Sequence, residues 1–197
     1  MLSRVYYQQP DRIHVDNFTP LKRRIIADGS HFYSCFEGAA KGFSRPIDEL
    51  NDDMVISLRK VPGTPMDHLL RLRGVPEIDM EPEDGFLVRK GYQADKTFVI
   101  LSLDSKRRLA RIEFYTSPRR KEKTAQYEYG QFKEVLSGVW IPCLHNATRK
   151  IRNSESKETV RITNLTVNEP IAKSLFVPGP FFKNVQFVDN FADIFTP

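Results

Sequence analysis

Lys96–Thr116 reads KTFVILSLDSKRRLARIEFYT. Two apolar runs flank a polar turn at Asp104-Ser105-Lys106. Past that turn Ile112 and Phe114 fall on one side, and Arg111 and Glu113 on the other. That period of two belongs to a strand with one face on a core, because successive side chains of extended backbone point to opposite faces. The stretch therefore predicts two antiparallel strands, and its neighbours extend the pattern.

The same alternation runs through DRIHVDNF (11–18), RRIIADG (23–29), SHFYSCFEG (30–38), TAQYEYGQFKEV (124–135), GVWIPCLHNATRKI (138–151) and ETVRITNLTV (158–167). Asp28-Gly29 is a hairpin turn signal between two of them. In the last run the apolar parity slips from Val160 and Ile162 to Leu165 and Val167, which predicts a β-bulge near Thr163-Asn164. Only residues 46–73 read as helical. Ser44 is a candidate cap, Pro46 lies near the first turn, and Pro62 and Pro65 stop the first helix. PMDHLLRL (65–72) offers a second short helix, and GVPEIDMEPEDG (74–85) an acidic loop. The expectation is a mainly β, α+β chain: one antiparallel sheet of about eight strands with a short helical insertion. Neither a repeat nor a linker divides it, so 1–197 reads as one domain. Two short helices cover only part of such a sheet's apolar face. A sheet curling round an incompletely filled face leaves an apolar hollow suited to lipophilic ligands.

Composition narrows the function classes. The net charge of +5 and pI of about 9.2 permit anionic partners, but the basic residues come in short clusters beside acids, as at strand ends and turns. Aromatics and basics do not interleave on one strand face, so no nucleic acid is expected. No run approaches the roughly 18–20 apolar residues of a membrane span. Cys35 and Cys143 make no disulfide framework. Cys143 and His145 share a strand face at i, i+2, as a nucleophile–base pair or two metal ligands would, but a thiolate site needs an activating environment and no second pair at metal spacing joins them, so packing or edge exposure is expected, with no metal or other cofactor. Phosphate-loop and nucleophile-elbow motifs are lacking. Six phenylalanines crowd the tail, at 176, 181, 182, 187, 191 and 195. They suit a clamp over the sheet, a lid or a membrane-touching surface.

Three stretches resemble the LolA-like periplasmic lipoprotein carriers, the outer-membrane lipoprotein-sorting family. In QQPDRIHVDNFTPLKRRIIADGSHFYSCFE (8–37), Pro10 opens a strand, Pro20 ends it, and Asp28-Gly29 precedes Phe32, Tyr33 and Phe36. YGQFKEVLSGVWIP (129–142) is similar to the family's tyrosine-bearing strand and its Gly–aliphatic–aromatic–x–Pro turn. VNEPIAKSLFVPGP (167–180) resembles its closing Phe-x-Pro element. The resemblance implies a curved, incomplete antiparallel barrel with a helical lid. It implies non-enzymatic binding and transport of lipoprotein acyl chains or a similar lipid, in a periplasmic monomer served by membrane-associated donor and acceptor proteins. Two departures stand out. The family's signal peptide, first helix and first strand have no counterpart here, which leaves a trimmed start and a cytoplasmic relative both open. Gln9 stands where the studied carriers place the arginine that tethers the lid.

Alternation nominates Ile13, Val15, Phe98, Ile100, Ile112, Phe114, Tyr127 and Tyr129 as lining the hollow, with Met54, Ile56, Leu69 and Leu70 from the lid. It does not choose which sheet face is the inner one. An enzyme on the same scaffold, with His14 or Glu113 turned inward, and an interaction module offering an edge strand and the Phe-rich tail are the alternatives.

Overall fold

The computed structural model describes residues 2–20, 22–59, 64–83, 85–94, 96–120, 122–151 and 154–195. The chain is mainly β, with few helices, and divides into two compact units. Unit 1 is Met1–Pro62 with Asn168–Pro197, and unit 2 is Gly63–Val167. Each has its own open sheet.

Sheet A in unit 1 runs β1(Ser3–Gln8), β2(Arg12–Asn17), β3(Arg23–Asp28), β4(His31–Phe36), β5(Lys41–Pro46) and β13(Gln186–Val188). Its first five strands are an antiparallel meander, and β13 joins β5 in parallel. The β3–β4 turn is fixed by Asp28, whose Oδ1 accepts the backbone N–H groups of Ser30 and His31, both at 2.8 Å. One face carries Ile13, Ala27, Phe32 and Phe43 into a core with Ile47, Leu50 and Leu58. The last of these lies on α1 (Asp52–Arg59), whose turn is started by Asn51 Oδ1 accepting the Met54 N–H at 2.9 Å. Tyr7 and Asp11 hold the far end: the Tyr7 hydroxyl donates to the Arg59 carbonyl, and Arg59 pairs with Asp11, each at 2.6 Å.

The other face of sheet A is covered by the Phe-rich tail. Ile26 and Cys35 pack with Phe182, and Tyr33, Phe181, Val185 and Phe187 join them. Phe176 is also buried. The clamp is therefore what four of the six tail phenylalanines form; Phe191 is exposed, and the side chain of Phe195 lies outside the described residues.

Sheet B in unit 2 runs β6(Glu77–Met80), β7(Val88–Ala94), β8(Thr97–Leu103), β9(Leu109–Tyr115), β10(Lys123–Leu136), β11(Val139–Ile151) and β12(Ser154–Arg161), antiparallel throughout. Helix α2 (Met66–Arg71) precedes it, directly after Pro65.

Seven of the eight expected strands are present as β2–β4 and β8–β11, and the eighth only over Glu158–Arg161 of β12, in two sheets that do not close into a barrel. Five more strands accompany them. β1 is half-exposed, β5 contains Gly42 and Pro46, β6 lies inside the expected acidic loop, and β13 spans only three residues. β7 puts Lys90 between Val88 and Tyr92 on the face where alternation would want an apolar residue. The first helix starts later than expected: residues 41–46 are strand, Ile47–Glu49 is a separate 3-10 turn, and Leu50 is extended. Pro62 lies outside the described residues. No bulge forms at Thr163-Asn164, because β12 ends at Arg161; the ladder irregularities fall at Lys123/Ala125, Glu134/Leu136 and Ser102/Leu103.

The tail clamp predicts a sharp contrast within one segment. Phe182→Ala should cost about 3 kcal/mol, the usual range for truncating a buried phenylalanine, whereas exposed Val177 replaced by Ala should stay within about 0.5 kcal/mol. Chemical denaturation of the two variants checks this.

Candidate functional site

In sheet B the strand register sorts the candidate residues by face. Tyr127 lies opposite Ile112, and Ala125 opposite Phe114. Tyr129, two residues on from Tyr127, shares that face and sits opposite His145. Ile112, Phe114, Tyr127 and Tyr129 thus come together, with Val99, Leu101, Tyr92 and Ala147 completing the cluster. Outside the strands, Leu72 and Val75 pack against it.

Phe98 and Ile100 are on the other face. Ile112 pairs with Leu101 and Phe114 with Val99, so the residues of β8 that join this cluster are Val99 and Leu101. The parity was unreadable in sequence because Phe98, Val99, Ile100 and Leu101 are all buried, leaving β8 apolar on both faces. Phe98 lies directly over Gly91, where an added Cβ would sit 2.7 Å from the ring.

An aromatic stack crosses the cluster. His145 lies against Tyr129, 5.0 Å between centroids and 13° from parallel, and against Tyr127 at 5.7 Å. His68 of α2 meets Tyr127 at 4.4 Å and Phe114 at 5.3 Å. Arg149 Nε donates to the Tyr127 hydroxyl at 3.1 Å, and its Nη1 pairs with Glu158 at 3.0 Å. Burial, with the negative charge of Asp67 added, pushes the Tyr129 phenol well above its ordinary range. Arg149 escaped the sequence reading, and His145 entered it only as a neighbour of Cys143; counting outward from the Ser137-Gly138 turn comes close to its place beside Tyr129. It pairs Tyr129 with residue 146, and the irregularity at Glu134/Leu136 moves the partner to His145. Cys143, two residues before His145, donates weakly to the Ile141 carbonyl at 3.9 Å.

The opposite face of sheet B is ionic. Glu113 is 3 % exposed. It accepts from the Tyr115 hydroxyl at 3.0 Å and pairs with Lys123 at 2.7 Å and Arg89 at 3.7 Å. Glu83 bridges Arg89 at 2.8 Å and Arg111 at 3.6 Å, and Arg111 lies 4.0 Å from the Phe86 ring. Burial opposes a charge on Glu113, but Lys123, Tyr115 and Arg111 outweigh it and hold the carboxyl below its usual range. Burial and the neighbouring Glu113 push Tyr115 up to about 12.

Of the other candidates, Ile13, Val15 and Met54 belong to the unit 1 core, and Ile56 is half-buried on α1. Leu69 and Leu70 are exposed on α2. His14 is on the face of sheet A opposite Ile13 and Val15. Its Nδ1 donates to the Leu175 carbonyl at 2.7 Å, its Nε2 lies 3.4 Å from Asp16, and its ring meets Phe181 at 4.7 Å. Neither His14 nor Glu113 therefore shares a face with the nominated apolar residues of its own strand. A cavity of about 510 Å³ in unit 1 is lined by residues including His31, Arg45 and Asp193, and one of about 460 Å³ in unit 2 by residues including Lys123, Lys150 and Lys157; none of the twelve nominated residues lines either. Among the described residues no group of three or more His, Cys, Asp or Glu is placed to hold a metal ion.

No protein-family model, curated protein or solved structure matches this chain.

Glu113 sets an acid dependence. An unfolded glutamate titrates near ~4.3, and its folded value here lies lower. The stabilisation is complete above the unfolded value and is lost as pH falls through the folded one. Glu113→Gln should remove that part of the acid limb. At pH 7 it should cost about 1–2 kcal/mol, because the buried side chain loses its charge-assisted contacts with Tyr115 and Lys123, while Arg89 keeps Glu83. Denaturation of both forms at a series of pH values measures it.

Proposed function

We propose that this chain binds and carries the acyl chains of lipoproteins, or a similar lipid, without covalent chemistry, as the LolA-like carriers do. In this reading sheet B is the curved, incomplete barrel. The face of Ile112, Phe114, Tyr127 and Tyr129 is the lipid seat, and α2 is its lid.

One observation carries the reading. Five neighbouring strands, β7–β11, share an apolar and aromatic face, and among the described residues a short segment outside the strands packs on it through His68, Leu72 and Val75. A six-residue helix is readily displaced, since most helical stability comes from tertiary packing. Leu69 and Leu70 are already exposed on it, and a lipid chain would give them apolar neighbours. Each methylene seated on such a face contributes about 0.8 kcal/mol. Arg149, held by Tyr127 and Glu158, marks a polar rim for a headgroup or a peptide. With Gln9 at the family's arginine position, the lid is held by packing instead of by that tether. Work in the periplasm, as a monomer passing lipid between membrane-associated donor and acceptor proteins, belongs to the same proposal.

Native mass spectrometry of the purified chain and titration with a fluorescent fatty acid test it. Co-purified lipid and saturable, competable probe binding are expected, with Tyr127→Ala weakening the probe about tenfold, the worth of one large apolar contact. Tyr127→Phe should bind as the parent does. No bound lipid together with no saturable binding would overturn the proposal.

A further inference from the structure

β10 and β11 outrun the rest of sheet B. β9 pairs with β10 only over Lys123–Glu128, and β12 with β11 over Leu144–Ile151, yet β10 and β11 continue to pair as far as Leu136 and Val139. The result is a two-stranded arm ending in the Ser137-Gly138 turn. Gly138 has φ of 74°, a conformation that favours glycine.

The tip of the arm is apolar. Leu136 is 53 % and Val139 48 % exposed, at a position where hairpins ordinarily carry polar residues. Trp140 stands beside them, half-buried. Cations surround it. Lys106 Nζ lies 5.4 Å from the indole centroid and the Arg108 guanidinium 5.1 Å, while exposed Arg107 is between them in sequence. Lys133 is exposed on the arm itself, its ammonium donating one hydrogen bond to the Leu165 carbonyl at 2.8 Å. The nearby carboxylates are engaged: Asp104 pairs with Arg108 at 2.6 Å, and Glu134 accepts the Gly138 N–H at 2.9 Å.

We propose that this tip docks on an anionic lipid bilayer, with Leu136 and Val139 entering the acyl boundary, Trp140 at headgroup level, and Lys106, Arg107 and Lys133 on the phosphates. Tryptophan is at home at that depth, having an apolar body and an N–H that needs a partner. Each lysine or arginine close to an anionic surface adds favourable energy, and two or three together make up for a small apolar wedge. A second copy meeting this one tip to tip would oppose like charges, which disfavours it. The inference does not rest on acyl-chain binding, since docking needs only the arm.

Trp140 is the chain's only tryptophan, so its emission reports the tip directly. The full chain is mixed with phosphatidylcholine vesicles, with and without phosphatidylglycerol. A blue shift, and quenching by brominated lipid, is expected with the anionic vesicles alone. Leu136→Asp and Val139→Asp should each weaken sedimentation with those vesicles by roughly tenfold or more, the transfer of one such side chain. Lys106→Glu with Arg107→Glu should weaken it too, and added salt should weaken the parent. All four positions are exposed, and far-UV circular dichroism confirms the fold of each variant. Unchanged Trp140 emission with anionic vesicles would overturn the proposal. So would full binding by the aspartate variants, or light scattering that shows a tip-dependent dimer with no vesicle binding.

Discussion

Unit 1 depends on a contact across 161 residues of sequence, between His14 of β2 and the Leu175 carbonyl. Sheet A is apolar on both sides, and an open sheet of that kind needs a cover on each. Helix α1 supplies the first from nearby sequence, and the tail supplies the second. His14 is 1 % exposed, and its Nδ1 secures the tail where Phe181 meets its ring. Asp16 backs the arrangement. Although burial opposes its charge, Arg24 at 2.6 Å, with His14 beside it, holds the carboxyl below its ordinary range, and Arg24 also lies 4.8 Å from the Phe181 ring. The same polar group thus orders the tail and fixes the position of the aromatics that close the core.

Unit 2 solves the two-face problem differently. One face of sheet B is apolar and aromatic, with Ile112, Val99 and Ala147 almost wholly buried, and the other buries Phe98 and Ile100 beside an ion network centred on Glu113. A buried carboxylate is tolerated when it is paired and hydrogen-bonded. Lys123, Arg89 and Tyr115 meet that requirement.

Much of this was written in the alternation. The runs with period two each contain a strand, though the last is strand only as far as Arg161, because side-chain alternation is a local property of extended backbone. The face of Ile112, Phe114, Tyr127 and Tyr129 was equally legible, since polar residues separate its members. β8 was not. Where both parities are apolar, only pairing with β9 tells Val99 and Leu101 from Phe98 and Ile100. Division into two sheets left only a short mark, Pro62-Gly63-Thr64-Pro65 at one boundary and Asn168-Glu169-Pro170 at the other, and the first of these also reads as a stop between two helices. Trp140 was legible as a marker of a strand near its turn, but its place on a projecting arm depends on where β9 and β12 stop.

The division of the chain carries a consequence for biosynthesis. Gly63–Val167 is continuous, whereas unit 1 is assembled from segments on either side of it. As the chain leaves the ribosome, unit 2 has all its strands in hand while sheet A still lacks β13 and the tail phenylalanines. Ile26, Tyr33 and Cys35 then wait with one face bare, in the kind of half-finished sheet on which nascent chains aggregate. Asn168–Pro197 complete strands that were made before unit 2, so sheet A closes only after the whole of Gly63–Val167 has been synthesised.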